Sequence, residues 1–231
     1  MLTIKNLNQF YGESHTLWDL DLELNTGECT CLMGRNGVGK TTLLKAIMGL
    51  LPLRGGSMQF KTHELTAETI ESRAKIGIGY VPQGREIFSQ LTVEENLKIG
   101  AAALGKLKLG IPSFIFELFP VLKEMLHRKG GDLSGGQQQQ LAIGRALMID
   151  PSLLILDEPT EGIQPNTVSH IGDVIKQLVS AHGMTVLVVE QKLGFARKVG
   201  QNFVVLEKGR KVAEGKMALL SDELVRTYLS V

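Results

Sequence analysis

The chain has 231 residues, with 25 basic and 24 acidic side chains and a formal net charge of +1. It is long enough for one large domain or two lobes around a substantial core, and so even a charge balance gives no electrostatic case for a nucleic-acid partner. The best candidate for a long apolar run, Leu109 to Leu122, is broken by Pro112, Glu117 and Pro120, so a membrane-spanning helix is not expected and any membrane link should run through partners.

Met1 to Phe10 reads as a strand rather than a leader peptide. Leu20, Leu22 and Leu24 alternate with Asp21 and Glu23, as in a half-exposed strand, and Trp18 reads as a packing residue at the edge of this first sheet. The apolar run Cys29 to Met33 reads as the next strand, with Cys29 and Cys31 on one face. They are the only cysteines, so two small core residues are expected rather than a zinc or redox site.

The next segment, Gly34-Arg35-Asn36-Gly37-Val38-Gly39-Lys40-Thr41, meets the pattern G-x-x-x-x-G-K-[ST], and a helical run, Thr42 to Leu50, follows it. Glycines let the backbone turn tightly and aim its N–H groups at phosphates, and the helix start adds its positive dipole end. Lys40 is placed for the β- and γ-phosphates, and the Thr41 hydroxyl for Mg²⁺.

Ser57 to Phe60 reads as a strand that extends a small antiparallel sheet beside the main one. Val93 to Leu104 and Pro112 to His127 read as helices, joined by a Gly/Lys-rich link at Gly105 to Gly110. The basic residues Lys106, Lys108, Lys123, Arg128 and Lys129 read as a solvated face, with proximity to anionic lipid as the alternative. In Leu133-Ser134-Gly135-Gly136-Gln137, Ser134 is a good helix N-cap, a helical pattern runs on to Met148, and Gln137 to Gln140 read as its polar face. A helix N-terminus with two glycines and a hydroxyl can also hold an anion.

Leu153 to Leu156 reads as a buried parallel strand delivering Asp157 and Glu158 at its carboxyl end. Asp157 is placed to hold Mg²⁺, directly or through water, and Glu158 to orient or deprotonate an attacking water. A helix over Val168 to Val179, with Val168, Ile171, Ile175 and Leu178 on one face, a strand at Thr185 to Val189 and a hairpin turning at Lys208-Gly209 complete the core. The five histidines, His15, His63, His127, His170 and His182, show no ligand spacing and complete no triad.

Taken in order, these motifs resemble the nucleotide-binding subunit of the ABC transporter family along the whole chain. The resemblance implies an α/β fold: a P-loop NTPase (RecA-like) ABC ATPase core with an antiparallel β subdomain and a helical subdomain. Residues 1–231 would form one nucleotide-binding domain, with the core at about 1–84 and 150–231 and the helical subdomain at about 85–149. It further implies that Tyr11 stacks on adenine, that Gly34 to Thr41 and Thr42 hold the phosphates of ATP, and that Gln83, in Tyr80-Val81-Pro82-Gln83, senses Mg²⁺ and the membrane partner. Ser134, Gly135, Gly136 and Gln137 would serve the nucleotide held by an opposing subunit. Thr41, Gln83 and Asp157 would form the metal set, and Glu158, Gln191 and Gln83 the catalytic set. The implied partners are a second ABC ATPase, two transmembrane permease subunits and, through them, a solute-binding protein outside the membrane. The implied location is the cytoplasmic face of the membrane.

The stretches TCLMGRNGVGKTTLLK, YVPQGREIF, GGDLSGGQQQQLAIGRAL and LLILDEPTEGIQP resemble the ATPases of branched-chain amino acid and urea importers, the last two most of all the E-type urea subunit. Urea import is therefore the sequence expectation, with branched-chain amino acid import as the alternative and a non-import ABC ATPase behind both. Gln191 stands where most of the family places a histidine; it can donate a hydrogen bond but carries no charge. By the resemblance this implies two unequal sites and a heterodimer, a homodimer being the alternative. Gln164 stands where an aspartate is usual, which puts the dimer contact there in question. Phe88, Phe114, Phe116 and Phe119 are candidates for a groove holding a permease helix, with core packing expected for most of them.

Overall fold

The computed structural model describes residues 1–105 and 110–229; Lys106, Lys108, Leu109 and most of the link between Gly105 and Gly110 lie outside the described residues. The chain opens with β1 (Leu2–Tyr11) and β2 (Ser14–Leu24), then β3 (Cys29–Met33) leads into helix α1 (Lys40–Ile47). β4 (Gly55–Phe60), β5 (His63–Glu64), α2 (Ile70–Lys75) and β6 (Ile78–Val81) follow. The helical stretch holds α3 (Val93–Gly100), α4 (Ser113–Leu118), α5 (Pro120–Glu124) and α6 (Gly135–Leu147). The chain then returns through β7 (Leu153–Asp157), α7 (Pro165–His182), β8 (Thr185–Val189), α8 (Leu193–Val199), β9 (Asn202–Glu207) and β10 (Arg210–Lys216).

The strands form two sheets. One is four-stranded and antiparallel, in the order β2-β1-β4-β5; the other is six-stranded, β10-β9-β3-β8-β7-β6. In the larger sheet β9, β3, β8, β7 and β6 run parallel, and β10 closes the edge by an antiparallel hairpin. The turn of that hairpin is Lys208-Gly209, both at positive φ (46° and 76°), the geometry that matches strand twist in a two-residue loop.

Side-chain alternation splits the core in two. Cys29, Cys31, Met33, Leu154, Leu156, Val186 and Val188 face α6, α7 and α8. Leu32, Leu153, Ile155, Leu187 and Val189 face α1 and the antiparallel sheet, where they meet Leu2, Ile4, Leu22, Leu24 and Phe60. The strands are therefore covered on both sides, as a parallel sheet requires. Both cysteines lie on one face, as the alternation predicts.

Several local expectations are corrected. The helix expected over Pro112 to His127 is two helices broken at Phe119 (φ −132°, ψ 72°), because the residue before Pro120 is pushed out of the helical region. α1 stops at Ile47, ahead of left-handed Gly49, and α3 ends at Gly100 before a 3₁₀ turn. The glutamine run is not a polar face: Gln139 and Gln140 are buried, while Gln137 caps the helix. Trp18 does lie on edge strand β2, but it is 38% exposed, stacked on His15 (centroids 3.5 Å apart) with the Arg210 guanidinium 5.1 Å from its ring. His15 in turn stacks on Phe10. Of the four phenylalanines, Phe119 is fully buried, Phe114 and Phe116 pack against the core, and Phe88 is exposed. Lys123, Arg128 and Lys129 face solvent.

Among the described residues no helix is long and apolar enough to cross a membrane. Strands β3, β8, β7 and β6 are adjacent and parallel, so their carboxyl ends come out side by side, and Gly34, Gln83, Asp157, Glu158 and Gln191 follow them there.

Candidate active site

From the end of β3 the chain must turn hard. Gly34 has φ 147°, and a Cβ there would lie 2.4 Å from the Leu206 carbonyl oxygen of β9; Gly39 has φ 107°, and a Cβ there would strike Leu17 Cδ2 at 2.8 Å. Only glycine fits either place. Lys40 begins α1, is 6% exposed, and bends back so that Nζ donates to Gly34 O (2.7 Å) and Arg35 O (2.8 Å). Burial lowers its affinity for the proton, opposed by the charges of Glu158, Asp157 and Glu190. The result is an ammonium fixed across the mouth of a loop whose N–H groups are those of a phosphate cradle.

β7 delivers Asp157, 2% exposed, with neither carboxylate oxygen in a hydrogen bond. Burial pushes its pKa up to about 6; the nearby Thr41 hydroxyl, short of bonding geometry, pulls it down, Glu158 pushes it up, and Lys40 and Lys45 pull it down. Buried oxygens without partners are rare. Two such oxygens beside a threonine hydroxyl fit a hard divalent cation with oxygen ligands.

Glu158 takes a left-handed backbone (φ 48°), a conformation that costs roughly 1–3 kcal/mol for a non-glycine residue. Its carboxylate accepts from Gln191 Nε2 on one oxygen and from Gln83 Nε2 (3.3 Å) on the other. Gln83 Nε2 also donates to Glu161 Oε2 at 3.0 Å. An open cavity of about 590 Å³ lies here, with Asn36, Gln83, Glu158, Glu161 and Gln191 in its wall.

The group that holds Gln191 in place belongs to no motif in the sequence. Glu190, 3% exposed, accepts from Thr160 Oγ1 (2.7 Å) and from the N–H groups of Gln191 (2.8 Å) and Lys192 (3.0 Å). Lys192 Nζ returns to Thr160 O at 2.9 Å. Through Thr160, two residues past Glu158, the loops after β7 and β8 become a closed ring of bonds. The only sequence signal was a charged residue directly after an apolar strand.

Two expected groups stand apart from this cluster. Tyr11 ends β1 and is 47% exposed. Ser134 and Gln137 cap α6 reciprocally: Ser134 N–H donates to Gln137 Oε1 (2.9 Å), and Gln137 N–H to Ser134 Oγ (3.4 Å). Gly136 sits so close to Thr167 that a Cβ would come within 2.9 Å of its Cγ2. No hydrogen bond among the described residues ties Ser134 to Lys40 or Glu158; this N-terminal end of α6, Leu133 to Gln137, is the stretch that resembles the signature of the ABC family.

A family model described as ABC transporter matches residues 17–161. The chain is 40% identical to the high-affinity branched-chain amino acid transport ATP-binding protein BraG of Pseudomonas aeruginosa, over 98% of this chain and 97% of that protein. It is 39% identical to a probable branched-chain amino acid transport ATP-binding protein, LivF, of Archaeoglobus fulgidus, over 93% of this chain and 92% of that one. Among solved structures, the dimeric post-hydrolysis state of the ATP-binding cassette MJ0796 bound to ADP and Pi superposes with a TM-score of 0.83 at 28% identity, covering 94% of this chain and 99% of that one.

Proposed function

Because the chain belongs to the ABC transporter family and is an ATPase of the importer type, we propose that it powers uptake of branched-chain amino acids, working from the cytoplasmic face of the membrane through permease subunits. The observation that carries the solute class is the end-to-end identity of 40% with a branched-chain amino acid transport subunit. The urea branch, towards which the signature and acidic-pair stretches lean, is the second reading. No residue here would touch the solute in either case.

The family resemblance and the geometry of the site support the following chemistry. ATP lies with its base on Tyr11 and its phosphates in the loop from Gly34 to Thr42, including the backbone of Arg35, Asn36, Gly37 and Val38. Lys40 shares its donors with the β- and γ-phosphates. Thr41 and Asp157, with Gln83, would hold Mg²⁺, which when bound neutralises phosphate charge. Glu158 takes a proton from a water as that water's oxygen attacks the terminal phosphorus; the bond to the bridging oxygen breaks, and its electron pair stays on ADP. Gln191 and Gln83 aim the two carboxylate oxygens. Ser134, Gly135, Gly136 and Gln137 complete the site of an opposing ATPase subunit, the head-to-tail arrangement in which binding closes the pair and hydrolysis reopens it.

A cleft of about 320 Å³ beside β6 and α6, lined by Met48, Tyr80, Glu86, Phe88, Ile99 and Ile149, is the proposed seat for a permease helix. The test is uptake of labelled leucine and labelled urea, at low external solute, in cells lacking this chain. Loss of leucine uptake, restored by the intact chain and not by Lys40→Ala, is the expected result. Loss of urea uptake alone would move the chain to the urea branch. If neither uptake changes, the importer role for both solutes fails.

A further inference from the structure

Three consecutive residues after Gln83 are left-handed: Gly84 at φ 80°, Arg85 at 71° and Glu86 at 46°. Glycine takes this region freely, but an arginine and a glutamate persist there only when their surroundings over-determine them. Those surroundings are specific. The Arg85 N–H donates to Pro82 O (3.1 Å) and the Glu86 N–H to Gly84 O (2.8 Å). From α6, Arg145 Nη2 donates to the Arg85 carbonyl at 3.2 Å, and the same guanidinium lies 5.3 Å from the ring centre of Phe88.

The twist sends the Arg85 side chain between two other functional segments. Its Nη2 donates to the Glu161 carbonyl at 3.1 Å, three residues past Glu158, and its Nη1 reaches Gln138 Oε1 on α6 at 3.4 Å. The guanidinium lies against Gly135, where a Cβ would come 3.1 Å from Nη1. A side chain at this first signature glycine would have to shift the Arg85 fork by a few tenths of an ångström. One planar fork touches the loop after β6, the N-terminus of α6 and the loop after β7.

We propose that Arg85 is a positioning residue that pins the signature end of α6 to the loop carrying Glu158, so that the signature this chain offers a partner and the carboxylate it uses itself respond to nucleotide together. The part of this statement that concerns a partner rests on the head-to-tail pairing proposed above; the pin itself lies within one chain. A lysine cannot replace it, because two donors in a fixed plane are needed to face Glu161 O and Gln138 at once.

The test is hydrogen–deuterium exchange of the full chain with and without Mg-ATP, on wild type, Arg85→Ala and Arg85→Lys. The wild type is expected to change protection in residues 134–140 and 158–162 together on adding ATP. Both variants should lose the change at 134–140 while keeping affinity for a fluorescent ATP analogue, because Arg85 is bonded to neither Lys40 nor Tyr11. Steady-state hydrolysis should lose roughly tenfold in kcat with little change in KM. An unchanged response at 134–140 in Arg85→Ala, full recovery in Arg85→Lys, nucleotide affinity falling in step with kcat, or no linked response in the wild type would each overturn the proposal. Pairing is read separately, by sedimentation of the Glu158→Gln chain with ATP and a related ATPase; its failure would leave the exchange result standing.

Discussion

At the residue scale the chemistry converges on a carboxylate in a disfavoured backbone conformation, faced by two neutral amides. Glu158→Gln keeps the shape of the side chain and removes the proposed proton acceptor. Phosphate release should slow by about 10²–10⁴-fold while ATP binding is retained, and a wild-type rate in that variant would assign the base to another group. Glu190 acts one step back from Glu158. Glu190→Ala strips the acceptor from a buried hydroxyl and two peptide N–H groups, a loss of about 1–3 kcal/mol, and frees Gln191 from its position against Glu158. The expected outcome is a lower urea midpoint together with a lower kcat, and Glu190→Gln, which keeps one acceptor oxygen, should recover part of both. A variant with both quantities unchanged would show that the ring through Thr160 holds nothing in place.

At the element scale the sheets are tied by polar clamps at strand ends. Glu28, just before β3, accepts from Asn202 on β9 (2.6 Å), Lys216 on β10 (2.9 Å) and Asn25 after β2 (2.9 Å). The Lys216 ammonium, with Asn202 and Asn25, holds its pKa at about 2, below the ordinary 4.5. A carboxylate lowered in the folded state contributes stability above its unfolded pKa and loses it as pH falls through the folded one. The stability gap between wild type and Glu28→Gln should therefore hold at neutral pH and close between pH 4.5 and about 2. Solvent screening keeps it to roughly 1 kcal/mol or less. Denaturant midpoints across that range check it, and a gap that persists at the acid end would assign the effect to packing.

The same scale shows what can be read from sequence. Strands β3, β7 and β8 and the glycines at 34 and 39 were legible because apolar runs and sharp turns are local requirements. The break at Phe119 was also written locally, in Pro120, but helical periodicity on both sides masked it. Gln139, Gln140 and Arg73 could not be read. Arg73 is 3% exposed and donates to the carbonyls of Ala46, Ile47, Leu65 and Glu68, partners that no side-chain pattern announces. Glu190 and Arg85 escaped for the same reason: much of what they bind is backbone brought near by the fold.

At the scale of the whole molecule, the chain carries one phosphate loop and one signature helix, the complement that the proposed pairing with a second ATPase subunit requires. With Gln191 rather than a charged side chain beside Glu158, the pure chain is expected to hydrolyse ATP slowly and without cooperativity, and to speed up when mixed with a related ATPase that carries histidine at that position. Phosphate release measured across such a titration checks this; fast, cooperative turnover by the chain alone would favour two equal sites. The single tryptophan adds a practical consequence. Trp18 donates its peptide N–H to Gly209 O (2.9 Å), and Gly209 donates to Val38 O in the phosphate loop (2.9 Å). An indole stacked on His15, on a residue whose peptide N–H is linked through Gly209 to the phosphate loop, is a built-in optical probe. Its emission should change as nucleotide arrives, giving a label-free trace of binding in real time.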